Sequence, residues 1–177
     1  MTVEPITSTA LPAAGRYRIR PERSKVTYTG RHMFGLGVVH ATFGITSGEI
    51  HVADSTTASR VTVLIDAGSF SSGNAKRDTD IRSAPLLNTD SFPDITFASD
   101  SLRRDGDHWL LSGTVTAHGV TVPTEVTFER VVHEPPGIRV LARARHLDRY
   151  AFGVTGSKGW VGRHLDIDLD VSAALDD

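Results

Sequence analysis

Between Leu165 and Val171 every second residue is apolar: Leu165, Ile167, Leu169 and Val171 alternate without exception with Asp166, Asp168 and Asp170. A helix would scatter these four side chains around its circumference, whereas a strand sends all of them to one face. The same period-two pattern recurs along the chain. Val26 and Tyr28 share a face, as do Val39, Ala41 and Phe43, then Val61, Val63 and Ile65, then Ile95 and Phe97. It continues through Trp109, Leu111, Gly113 and Val115, then Val126 and Phe128, then Ile138, Val140, Ala142 and Ala144. Gly48, Asp54-Ser55, Asp105-Gly106-Asp107, Pro135-Pro136-Gly137 and the stretch from Gly156 to Gly159 supply turn chemistry between segments. The expected fold is all-β: about eight antiparallel strands, each with a dry face to cover. A closed barrel or a two-sheet sandwich covers those faces, and closure also removes exposed edges.

One stretch breaks the rhythm. Ser72 to Asn88 has no alternation, and Asn74 is placed to cap a short helix ending near Pro85. The predicted helical insert spans about 74–88, with Ile81, Leu86 and Leu87 packing over one barrel end. Residues 1–15, rich in Pro, Thr and Ala, read as a flexible arm, leaving 16–177 as a single domain. At 177 residues the chain is long enough for a core without staples.

Composition removes several classes of function. With no Cys there is no disulfide framework, thiolate metal site or thiol nucleophile. Nineteen basic and twenty-one acidic residues give a net charge of −2, so no nucleic-acid footprint is present. The leader lacks a basic start and an apolar run, and no apolar stretch is long enough to span a bilayer. These features predict a cytoplasmic protein without a transmembrane segment.

No catalytic or metal constellation stands out. The eight His are scattered, without an HExxH or His-x-His pattern, and no metal site is expected. The glycine-rich stretches hold neither G-x-S-x-G nor a phosphate-binding loop, and Ser157 has no evident base. Asp78 and Asp80 could do acid–base work in a cleft, or could be ion-paired structural groups beside Arg77 and Arg82. The Asp166/Asp168/Asp170 row reads as a solvated strand face. What remains is the apolar interior, which either fills solid or encloses a cavity for one ligand.

In order, the motifs resemble the YceI-like family of polyisoprenoid-binding proteins. Tyr17 to Val26 resembles the family's opening strand, with an aromatic-x-Ile followed by Pro21 and Ser24, and His32 falls after it. Gly37 to Gly48 resembles its glycine/Phe/glycine hairpin. Ser72, Asn74, Arg77-Asp78, Ile81-Arg82-Ser83 and Phe92-Pro93-Asp94-Ile95-Thr96-Phe97 resemble its interrupting segment. Gly113 to Thr121 and Arg149 with Phe152-Gly153 continue the series, so the resemblance covers about residues 16–174. The chain departs at Leu86-Leu87, where the family often has Phe-Phe, and at Arg20, where it has Asp. The lack of a signal peptide departs from periplasmic members and agrees with cytoplasmic ones.

The resemblance implies an extended, lipocalin-like antiparallel barrel around a long apolar channel for an isoprenoid chain, and the capacity to form a homodimer. Its expected lining is Val26, Tyr28, Phe43, Val63, Ile65, Phe97, Trp109, Leu111, Ile167 and Leu169, with His32 at a barrel end facing a polar headgroup or bonded to backbone. The function expected is non-enzymatic carriage of a polyisoprenoid or isoprenoid-quinone-like lipid, with no cofactor required. Two alternatives stay open: an enzyme acting on a bound quinone through His32 or Asp78, and a filled barrel that serves as a protein-interaction module.

Overall fold

The computed structural model describes residues 7–8 and 10–176. Its strands are β1 (Thr7–Ser8), β2 (Gly15–Ile19), β3 (Lys25–His32), β4 (Gly37–Val52), β5 (Arg60–Ser71), β6 (Asp94–Asp105), β7 (His108–Ala117), β8 (Val120–Glu134), β9 (Gly137–Asp148) and β10 (Val161–Leu175). One helix, α1 (Ala75–Arg82), lies between β5 and β6. From β3 onward each strand pairs antiparallel with the next, and β10 returns to pair with β3, which closes an eight-stave barrel. The expected closed barrel is therefore the one formed.

β2 is not a ninth stave. It pairs with the same two neighbours as β3, β10 and β4, but further along them. The 3₁₀ turn Pro21–Arg23 splits one stave into two, since proline has no N–H to give to a ladder. Gly48, read from sequence as a turn, instead lies inside the sixteen-residue β4. A Cβ there would sit 2.5 Å from the Ile19 methyl and 2.8 Å from the Thr62 carbonyl oxygen. The glycine is needed for close approach at a bulge, where β4 shifts register between Ile45 and Ser47.

The leader is also less loose than its composition suggests. Thr7 and Ser8 pair with Val132 and Val131, and Leu11 packs against the main core. Residues 1–6 and 9 of the expected arm lie outside the described residues.

The two barrel ends carry different connections. At one end sit the β3–β4 hairpin tip, α1, the His118-Gly119 turn and the segment from Arg149 to Trp160. At the other sit the 3₁₀ turn Thr56–Ala58, the Asp105-Gly106-Asp107 turn, the Pro135–Gly137 turn and Leu11. On the outer face the Asp row is ion-paired as well as solvated: Arg139 bonds Asp170 at 2.7 Å and Arg145 bonds Asp168 at 3.0 Å.

Candidate functional site

The inward faces do not meet at the barrel axis. They enclose a cavity of about 260 Å³ running between the two ends. Its middle is walled by Val26, Phe43, Val63, Ile65, Phe97, Leu111, Ile167 and Leu169, all expected from strand parity. Tyr28 joins them toward the α1 end, and the wall is almost wholly carbon. Strand alternation accounts for this: on most staves the polar neighbours of the wall residues point outward, with Leu64 and Leu110 as apolar exceptions.

Two of the expected residues lie elsewhere. Trp109 has inward parity and packs against the main core from the second position of β7, but is not among the residues that wall the cavity, and Arg104 lies 5.7 Å from its ring. Strand parity fixes the face of a residue, not its height along the barrel. His32 likewise has inward parity but is not among the cavity-wall residues; it lines an adjoining groove with Arg31, Asn74, Arg77 and Trp160. Its ring rests on Gly37, where a Cβ would come within 2.1 Å of Nε2.

Phe70, which alternation from Ile65 does not single out, is 2% exposed and forms the aromatic knot of the wall. Its ring meets Tyr28 edge-on at 5.6 Å and Phe43 at 5.3 Å. A bulge explains why parity failed. The β4–β5 register shifts between Thr42 and Gly44, and Ser69 Oγ accepts a bond from the Gly44 N–H at 2.7 Å while donating to the Asp66 carbonyl.

The α1 end is closed by a small satellite core of Leu86, Phe152 and Val154, with Ile81 and Val161 packed on it. Buried polar groups tie this cap down. Asn74 caps α1, its Oδ1 accepting the Arg77 N–H at 3.0 Å. Asp78, 6% exposed, accepts the Ser72 N–H at 2.9 Å and the Ser72 hydroxyl at 2.6 Å. The expected anchoring role thus falls to an Asp78–Ser72 contact rather than to an ion pair with Arg77. Arg82 donates to the Phe70 carbonyl, joining helix to wall.

Arg149 was matched by motif but given no role from sequence. Its guanidinium is buried in the wall and donates to three carbonyls: Gly162 at 2.9 Å, Val154 at 2.7 Å and Val161 at 2.8 Å. It therefore fastens the 154–162 segment across the barrel end. Burial pulls its pKa below the usual guanidinium range, against smaller opposing effects of Tyr150, Tyr28 and Asp148. Burial also pushes the Tyr28 phenol above its ordinary range, with the Arg149 charge acting the other way. Among the described residues no group of three or more His, Asp or Glu could hold a metal ion.

A closed antiparallel barrel with a carbon-lined cavity and a short helical cap belongs to the class of small β-barrels that enclose apolar space. The chain belongs to the YceI-like domain family, whose pattern matches residues 17–173. The Protein YceI of Salmonella newport is 33% identical over 114 residues, covering 59% of this chain and 59% of that protein. That of Shigella flexneri is 43% identical over 72 residues, or 41% of this chain and 37% of its own length. The chain thus spans well under two thirds of the length of these relatives. Among solved structures, Burkholderia cenocepacia BcnA superposes with a TM-score of 0.77 at 18% identity, over 88% of this chain and 99% of that one. A polyisoprenoid binding domain from Saccharophagus degradans, implicated in plant cell wall breakdown, gives 0.69 at 14%, over 90% and 98%. These likenesses are of fold.

Proposed function

We propose that the protein binds and carries a long-chain lipid of polyisoprenoid type, free or as the tail of an isoprenoid quinone, without altering it chemically. The observation that carries this reading is the cavity, whose wall offers carbon along its length. Each CH₂-sized group buried there contributes about 0.8 kcal/mol, so a chain of isoprene units needs no polar contact to bind. Ordering the chain offsets part of that gain. The fold likeness to the polyisoprenoid binding domain from Saccharophagus degradans supports the ligand class. Organic extraction of purified protein, with native mass spectrometry before extraction, tests the reading. A stoichiometric long-chain lipid, or its stoichiometric uptake when added, is expected. Failure of both in folded protein would overturn the proposal.

A further inference from the structure

The β3–β4 hairpin tip carries apolar side chains where a soluble hairpin carries polar ones. Phe34 is 75% exposed, Leu36 85% and the neighbouring Trp160 60%, with Met33 and Val38 also exposed beside them. The turn itself is costly: Met33 and Phe34 both take left-handed backbone, with φ of 52° and 56°, where Asn or Gly would sit without strain. The tip is nevertheless held in place. The Met33 N–H donates to the Trp160 carbonyl at 2.9 Å, the Phe34 N–H to that of Gly159 at 2.6 Å, and the Phe34 and Trp160 rings lie 5.9 Å apart.

Cations ring this apolar point. Arg31 precedes the tip, Lys158 precedes Trp160, and Arg77 faces the same groove from α1. Among the described residues none of the three is in an ion pair, and Lys158 lies 5.5 Å over the Tyr150 ring. Residues 31–38 and 155–163 contain no acid. The α1 carboxylates are engaged, Asp78 by Ser72 and Asp80 by Lys76 at 3.2 Å, while Asp148 is held by Arg163 at 2.8 Å.

We propose that this tip is a docking surface for an anionic lipid bilayer. Phe34, Leu36 and Trp160 enter the boundary between headgroups and acyl chains, and Arg31, Arg77 and Lys158 rest on the anionic headgroups. Aromatic and Leu side chains backed by Lys and Arg are what such an interface selects. A second protein copy fits less well: a stable dimer needs roughly 20–30 residues a side, and this is a protruding point of five apolar side chains. The groove beside the tip shares Tyr28, Phe70, Ile81 and Leu86 with the cavity wall. Docking therefore sets the cap of the barrel at acyl depth. Its use for loading rests on the carrier reading; the docking does not.

Flotation of the full chain with phosphatidylcholine vesicles, with and without phosphatidylglycerol, tests the proposal. The wild type is expected to float with the anionic vesicles and to be released by salt. Phe34→Asn combined with Leu36→Ser is expected to weaken that binding roughly tenfold or more, while Phe34→Trp keeps it. Asn tolerates the left-handed backbone, and unchanged melting of the double variant verifies its fold. Wild type that ignores both vesicle types, or a double variant that floats as well as wild type, would overturn the proposal. So would a dimer in sedimentation equilibrium that the double variant dissociates while vesicles capture nothing. Binding of a detergent-dispersed polyprenyl phosphate should be unchanged in these variants, because the cavity wall is untouched. Loss of that binding in the wild type would sink the carrier reading and leave the docking result standing.

Discussion

At the α1 end of the barrel the small apolar core of the cap is reinforced by buried polar contacts to backbone, guanidinium contacts among them; at the other end apolar packing predominates. Arg149, Asp78 and Arg82 each bind backbone from within the cap. The opposite end relies mainly on Ile19, Val52, Leu102, Ile138 and Ala173, all below 9% exposure, with Leu11 packed against the same core and the buried Ser59 hydroxyl accepting the Ala53 N–H at 3.0 Å. A polar anchor fixes one geometry and loses its worth when a partner moves, whereas apolar packing tolerates small shifts.

Substitutions at the two ends should separate these modes. Arg149→Met is expected to have the largest effect, because it leaves three carbonyls without a donor. A loss of about 3 kcal/mol or more is anticipated, read as a fall in melting temperature of about 10 °C. Asp78→Ala frees the Ser72 N–H and hydroxyl and should cost about 2 kcal/mol by denaturant unfolding. At the other end Ile138→Val removes one methylene from a side chain that is 1% exposed, and about 1 kcal/mol is expected. If Ile138→Val matched Arg149→Met, the contrast between the ends would collapse.

The smallest effect is acid sensitivity. The Arg163 guanidinium, bonded to Asp148, holds its carboxyl down at about 2, helped by the Tyr150 N–H and opposed by desolvation. A depressed folded-state pKa stabilises the protein above the ordinary value of 3.8, and that contribution is lost as pH falls from there through about 2. Asp148 caps the 3₁₀ turn Arg149–Phe152 at the α1 end. Acid should therefore lower the protection factor of the Tyr150 amide, the intrinsic exchange rate at the same pH divided by the observed rate, before it affects that of Ala53 at the other end, and Asp148→Asn should remove that difference.

Strand parity made the middle of the cavity legible, because a two-residue period repeated along eight staves leaves little freedom over which face is dry. It failed where the period was interrupted or the height mattered. Phe70 was hidden by the bulge after Asp66, and Trp109 and His32 have the right face but do not wall the cavity. Gly48 resembled a turn because a glycine that permits close approach and one that permits a turn look alike in sequence. Arg149 could be aligned but not interpreted, since its partners are backbone carbonyls, which no side-chain pattern announces.

The most direct test of a ligand cavity is to fill it. Ile167 faces the cavity from mid-barrel, and Ile167→Trp would place an indole in the space assigned to the lipid chain. A solid core overpacked this way loses about 1–3 kcal/mol, whereas an open cavity accepts the ring. The measurement is titration of wild type and Ile167→Trp with a radiolabelled polyprenyl phosphate, alongside the melting temperatures of both unliganded proteins. The expected result is one lipid bound per wild-type chain, none by the variant, and near-equal melting. A wild type that binds nothing, or a variant that melts far lower or binds as well as wild type, would contradict the account.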